Sequence, residues 1–189
     1  MALVDSTVPE TRVKLTHADY LLFPDDGKRH ELIDGEHFVT PSPRVKHQAV
    51  LQNLHLELAP FVRENRLGQL FVAPLDVILS EVDVVEPDLL FVSNERREIV
   101  QDWIRGTPDL VIEILSPGSR RKDEILKRQL YERHGVSEYW LVDPEAETVK
   151  LYRLRDGVYG RPRLLQAQHR DRLSTPLLPG LELPLARIF

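Results

Sequence analysis

Apolar positions along this chain follow two rhythms. Between residues 44 and 66, Val50, Leu51, Leu54, Leu58, Phe61 and Val62 recur at three-to-four spacing, which predicts a helix. Pro60 should kink or divide it. The other rhythm is the short apolar run. "QLFVAPLDVILS" and "VVEPDLLFVS" read as two strands separated by a turn near Glu81–Asp83. "TPDLVIEILSP", residues 107–117, reads as a buried strand. Its alternation sets Asp109, Val111, Glu113 and Leu115 on one face and Leu110, Ile112 and Ile114 on the other. "RHELIDGEHFVTPSP" predicts a hairpin turning at Asp34-Gly35. "EYWLVDPEAETVKLYRL" predicts another, opened by Asp143-Pro144. "SRRKDEILKRQLYERHG" predicts a helix stopped by Gly135, with Leu126 and Leu130 packed into the sheet. "THADYLLFP" predicts a short helix capped by Thr16, with Asp19 three residues on and Pro24 as its stop. "NERREIVQDWIRG" fits a short helix or a mobile loop. The Leu- and Pro-rich C-terminal stretch predicts a short strand with irregular packing. Residues 1–13 read as a mobile arm and 14–189 as one mixed α/β (α+β) domain, helices on a sheet.

Length and composition narrow the class. A chain of 189 residues suits one domain with a full-sized core. With no cysteine, disulfides and thiolate metal sites are excluded, which fits a reducing, cytoplasmic setting. No apolar run reaches the ~18 residues of a membrane span, and the first residues lack a secretory pattern. The net charge of −5 counts against a protein that coats nucleic acid non-specifically. It leaves room for an enzyme with locally clustered basic residues and an acidic site that recruits a cation.

The carboxylates raise the chemical question. Burying an unpaired carboxylate costs several kcal/mol, so Glu113, mid-strand among Val, Ile and Leu, needs a partner. "EPDLLFVS" also carries an acid, Asp88, at the start of an apolar run. Two neighbouring strands that each present a carboxylate can share one divalent cation, since Mg²⁺ takes oxygen ligands and keeps several waters. Asp88 also reads as a turn residue after proline, and Glu113 as the partner of an Arg or Lys. On the next helix Asp123, Lys127 and Tyr131 are four apart and share a face. Lys127 can reach back to Asp88 and Glu113, although an Asp–Lys pair at this spacing also describes an exposed ion pair. Glu31 opens the first hairpin, and His47 falls at the start of the long helix's inward stripe. Asp109 shares the Glu113 face but lies about 13 Å from it at ~3.3 Å per residue, too far for one metal, which leaves it a structural or rim role.

The run "HELIDGE…H…EPDLLFV…TPDLVIEILSPGSRRKDEILKRQLYERHGVSEYWLVDPE" resembles the bacterial Uma-type (Uma-two) family of restriction-endonuclease-like proteins, placed in the PD-(D/E)XK nuclease superfamily. The resemblance covers roughly residues 14–189 and is most specific from Pro108 to Pro144. It implies a restriction-endonuclease-like fold, a central mixed sheet flanked by helices. It also implies Mg²⁺- or Mn²⁺-dependent hydrolysis of phosphodiester bonds in DNA. Pro87-Asp88 matches the superfamily's Pro-Asp, Glu113 its second acid, and the Ile114 backbone carbonyl a further metal ligand. The usual lysine position is Leu115 here, so Lys127 takes that role from the following helix. Glu31 matches an acid from the first helix or hairpin, and His47 a histidine of the family pattern. Arg120, Arg121 and Lys122 are the candidate phosphate contacts, with Asp123, Tyr131 and Asp109 in support. Double-strand cleavage implies a homodimer, for which the C-terminal "PLLPGLELPLARIF" offers apolar surface. Two other readings stand beside this one: a non-catalytic interaction module that keeps the fold, and a phosphodiesterase acting on RNA or nucleotides.

Overall fold

The structure, a computed structural model, describes residues 13–189. The expected arm thus falls almost wholly outside the described residues. The chain opens with α1 (His17–Tyr20), then β1 (Arg29–Ile33), β2 (Glu36–Thr40) and the long α2 (Val45–Glu64). There follow β3 (Gly68–Val72), β4 (Val77–Ser80), β5 (Asp83–Val85), β6 (Leu89–Ser93), a 3₁₀ turn (Asn94–Ile99), β7 (Ile104–Arg105) and β8 (Leu110–Ile114). A π-helical run, Lys122–Lys127, continues into α3 (Arg128–Arg133). The remainder is mostly strand, with short 3₁₀ turns at Ala167–His169 and Leu185–Arg187: β9 (Glu138–Asp143), β10 (Thr148–Arg155), β11 (Val158–Tyr159), β12 (Arg163–Gln166), β13 (Arg172–Thr175) and β14 (Leu178–Pro184).

The central sheet runs β11-β10-β9-β8-β6-β3, with β12 also on β10; β8 and β9 are parallel and the other pairs antiparallel. A second sheet runs β2-β1-β5-β4-β7. Strand β8 sits between β6 and β9, buried on both faces. Its alternation divides the core as the pattern predicts. Leu110, Ile112 and Ile114 pack with Leu54 and Leu58 of α2 and with Trp140. Val111 and Leu115 pack on the other side with Leu130, Tyr131 and Tyr139. Each large apolar side chain removed from water contributes roughly 1.5–3 kcal/mol.

Local signals fixed the turns. Asp34 and Gly35 both have positive φ, 54° and 74°, as a two-residue hairpin with a type I′ turn requires. Gly35 is also needed for space, since a Cβ there would lie 2.5 Å from the Lys14 side chain. Thr16 and Asp19 form a reciprocal capping box. Thr16→Ala is expected to cost about 1 kcal/mol, read as a lower urea midpoint with an unchanged slope.

Four expectations change. Both central strand predictions break at a proline, Pro74 and Pro87, because proline cannot donate to a ladder. Their halves join different sheets: β3 and β6 the central one, β4 and β5 the second. The long helix stays undivided through Pro60. Leu126 is 36% exposed while Leu130 is buried, because the π-helical run takes more residues per turn and rotates Leu126 outward. The C-terminal leucines are core, not free surface: Leu178, Leu181, Leu183, Leu185 and Ile188 all join the α2 side of the core.

Candidate active site

The breaks at proline build the site. Leu89 pairs with Ile112, so one step further along the register Asp88 stands opposite Glu113. The Ile114 N–H donates to Asp88 Oδ2 at 2.9 Å, which ties the two strands at that point. His47, in the first turn of α2, meets the same oxygen at 3.0 Å through Nε2, and Arg29 of β1 donates to Oδ1 at 2.9 Å. Strand β1 brings Glu31 to the site, and the Glu86 N–H donates to its Oε1 at 3.2 Å.

Lys127 stands among these acids. Its Nζ lies 2.6 Å from Glu31 Oε1, 2.8 Å from Glu113 Oε1 and 3.9 Å from Asp123 Oδ1. The Tyr131 hydroxyl donates to Glu113 Oε1 at 2.7 Å. The four-residue spacing of Asp123, Lys127 and Tyr131 thus aims all three one way. Lys127 is only 3% exposed, so it is no surface ion pair. A π-helical segment inside a helix often marks a functional site, and this one opens with Lys122 and buries Asp123 and Lys127. Lys122 bonds to Glu31 and, at 2.6 Å, to Thr40.

The electrostatics follow from burial and from who faces whom. Burial disfavours ionised Glu31, but the charges of Lys127 and Lys122 and their hydrogen bonds outweigh it and bring the pKa down to about 2. Asp88 is likewise held at about 2, where the His47 hydrogen bond and charge, Arg29 and the Ile114 N–H outweigh burial. Glu113 is pushed up to about 8 by burial, against the pull of Lys127, with Asp123, Asp88 and Glu31 adding repulsion. Asp123 rises to about 6 and Glu86 to about 7, both chiefly through burial.

The cavity is lined by Glu31, Glu86, Asp88, Glu113 and Asp123 against Arg29, Lys122 and Lys127, with His47, Thr40 and Ser116 among its other walls. When all ionise, two negative charges are left over. The free space, about 30 Å³, holds a cation or a water or two and no nucleotide. Among the described residues no three His, Asp or Glu side chains converge as a ready metal cluster. A divalent cation still fits the chemistry here. Mg²⁺ needs only two carboxylates and a carbonyl beside its waters, and its charge matches the excess.

The structure therefore brings Glu31, His47, Asp88, Glu113, Ile114, Lys127, Lys122 and Asp123 to one cavity, with Tyr131 behind Glu113. It does not bring Asp109, which accepts from the Ser93 N–H at 2.7 Å and faces Arg96 at 3.4 Å. Arg121 is exposed and does not line the cavity, and Arg120 pairs with Asp143 at 2.8 Å. Two residues escaped the sequence reading. Arg29 lies two before Glu31 on β1, so alternation from Glu31 would have found it. Glu86 lies two before Asp88, masked by the proline between them.

A mixed sheet flanked by helices, with buried acids on neighbouring central strands and a lysine from the next helix, defines a restriction-endonuclease-like fold. The chain belongs to the Uma2 family, described as "Putative restriction endonuclease", whose sequence profile matches residues 17–186. Its structure is similar to that of a protein from Anabaena variabilis ATCC 29413, described as "a putative nuclease belonging to DUF820". The two superpose with a TM-score of 0.79 at 22% identity, over 93% of this chain and 97% of that one. No curated protein matches this chain. No helix among the described residues is long and apolar enough to cross a membrane.

Proposed function

We propose that this protein is a metal-dependent endonuclease that hydrolyses phosphodiester bonds in DNA. The observation that carries the reading is the cavity's charge: five buried or half-buried acids against three full cations, in a space the size of an ion. The family description supports nuclease activity. Asp88, Glu113 and the Ile114 carbonyl are the groups that would hold Mg²⁺ or Mn²⁺. Such an ion would supply polarisation of the phosphoryl oxygen and a more acidic bound water.

The chain's own groups have separable tasks. Lys127 places its ammonium where negative charge develops on the phosphate, or where the attacking water must be held. Glu31 anchors Lys127 and Lys122, and His47 fixes the Asp88 carboxylate. Because the cavity admits no nucleotide, the scissile phosphate meets these groups at its mouth. Arg120, Arg121 and Lys122 flank that approach. Lys122 already spans to Glu31, which makes it part of the lysine pair, and Arg120 and Arg121 are the outer contacts.

A non-catalytic module is the reading that full pairing of Asp88 and Glu113 with protein groups would favour, and metal separates the two. Saturating Mg²⁺ or Mn²⁺ is expected to raise the melting temperature by mass action, by an amount equivalent to about 2.7 kcal/mol at a hundredfold excess over Kd. Asp88→Asn with Glu113→Gln should remove the rise. A rise that persists in the double variant takes this pair out of the metal site.

Cutting both strands of a duplex needs two sites, so the active form is expected to be a homodimer. The C-terminal leucines are spent in the core and supply no contact for it. Light scattering in the presence of duplex DNA should give the mass of two chains plus one duplex. A monomer at tens of micromolar would refute it.

A further inference from the structure

A second cavity, of about 120 Å³, adjoins the first and has the opposite charge. Arg44, Lys46 and Arg120 line it together with Glu145, and it shares His47 and Ser116 with the acidic cavity. Arg44 makes no ion pair among the described residues, whereas Lys46 faces Glu145 at 3.1 Å and Arg120 faces Asp143 at 2.8 Å. The cavity lies at the start of α2. That helix is 20 residues long, its N-cap residue Arg44 makes no side-chain capping bond, and its first turn holds no acid. Its leading N–H groups are therefore open to an anion.

His47 supplies the independent observation. It is 7% exposed, and its ring is the wall between the two cavities. Nε2 is taken by Asp88 on the acidic side. Nδ1 is buried and has no hydrogen-bond partner. Leaving a buried ring nitrogen unsatisfied costs about 1–3 kcal/mol, so the ring that walls the second cavity carries a polar atom still without a partner.

We infer that this second cavity is a phosphate subsite, where Arg44, Lys46, Arg120 and the start of α2 hold a phosphate of the substrate strand beside the His47 ring. The guanidinium groups suit a phosphate because their paired N–H groups match its oxygens. The shared His47 wall sets this phosphate next to the one at the mouth of the acidic cavity. A strand held here is thus anchored by a group that is not cut. Only the naming of the phosphate as a substrate's rests on the nuclease reading; binding of the anion does not.

Inorganic phosphate is the probe, followed by ¹⁵N NMR of the histidine rings and by thermal shift on the full chain. Wild type should show a saturable change at the ring signals of His47. Arg44→Gln should weaken phosphate about tenfold, the worth of one charge-assisted contact. Arg44 is exposed and unpaired, so this variant should fold as wild type does. Arg120→Gln gives a second reading, and Arg63→Gln, at the far end of α2, is the control. Binding of duplex DNA without divalent metal should lose about 0.9 from its salt slope in Arg44→Gln. Phosphate affinity equal in wild type, Arg44→Gln and Arg120→Gln overturns the subsite, whatever the cleavage result. Phosphate binding lost in the two variants of a protein that cuts no nucleic acid upholds the subsite and overturns the nuclease reading instead.

Discussion

Lys127→Met is expected to lower the unfolding free energy by about 3–5 kcal/mol and to abolish cleavage, because it leaves buried acids without their shared cation. The ammonium sits within salt-bridge distance of Glu31, Glu113 and Asp123, and none of the four side chains has more than slight contact with water. Methionine keeps most of the stem's packing, so the loss isolates the charge. Adding Glu31→Gln should return part of the stability, since the carboxylate that Lys127 holds ionised is then gone. The double-mutant coupling between the two positions should exceed 1 kcal/mol, as for residues in one buried network. Cleavage should not return with the stability. Urea titrations of the four proteins, with a nicking assay beside them, make the test. A Lys127→Met protein as stable as wild type would mean that the acids are protonated or solvated and that the lysine does not organise the site. One that loses stability but still cuts would leave Lys127 structural only.

That expectation could not have been drawn from the chain's pattern alone, and the reason is physical. Spacing of four puts Asp123, Lys127 and Tyr131 on one face of a helix, but it cannot say whether that face meets water. They are buried between the central sheet and the second one, and two strands of the second sheet, β4 and β5, arise where Pro74 and Pro87 interrupt two apolar runs that otherwise read as continuous strands. Where a signal is local, the chain is legible. The Asp34-Gly35 turn, the Thr16 cap, the two faces of β8 and the stop at Gly135 each depend on a few adjacent residues. Partner choice is not local. Nothing in "VVEPDLLFVS" says that its first half pairs with β4 and β1 and its second with β3 and β8. Asp88 and Glu113 stood out as acids in apolar strands, whereas Arg29, although alternation from Glu31 puts it on the same face, becomes notable only once β1 is known to face Asp88. Leu126 was misplaced for a third reason. A π-helical run changes the angle between successive side chains, and no residue type announces it.

Asp83→Ala should cost a comparable 3–4 kcal/mol and weaken cleavage as well, although Asp83 does not line either cavity. Its carboxylate is 2% exposed and joins three parts of the chain. It accepts from the Asp34 N–H in the first hairpin's turn at 2.7 Å and from the Ser80 hydroxyl across the β4–β5 turn at 2.8 Å. It also meets His134 Nε2 at 2.9 Å and Arg133 at 3.2 Å, both at the end of α3. The hairpin carries Glu31 and the helix carries Lys127, so this joint sets the distance between the lysine and its anchor. Burial alone would raise the Asp83 pKa. The His134 bond, the Asp34 N–H, Ser80 and the Arg133 charge more than offset it and hold the group well below the usual carboxylate range. A depressed folded pKa contributes stability that is fully present above the unfolded value, near 3.9, and is lost as pH falls through the folded one. Wild type should therefore lose stability on acidification below about pH 4 more steeply than Asp83→Asn, whose amide does not titrate. At neutral pH the order should be wild type, then Asp83→Asn, then Asp83→Ala. Denaturant midpoints measured from pH 7 down to pH 3 give both the order and the slopes. Parallel acid profiles for wild type and Asp83→Asn would remove the joint from the account, and with it the reason to expect a change at the distant lysine.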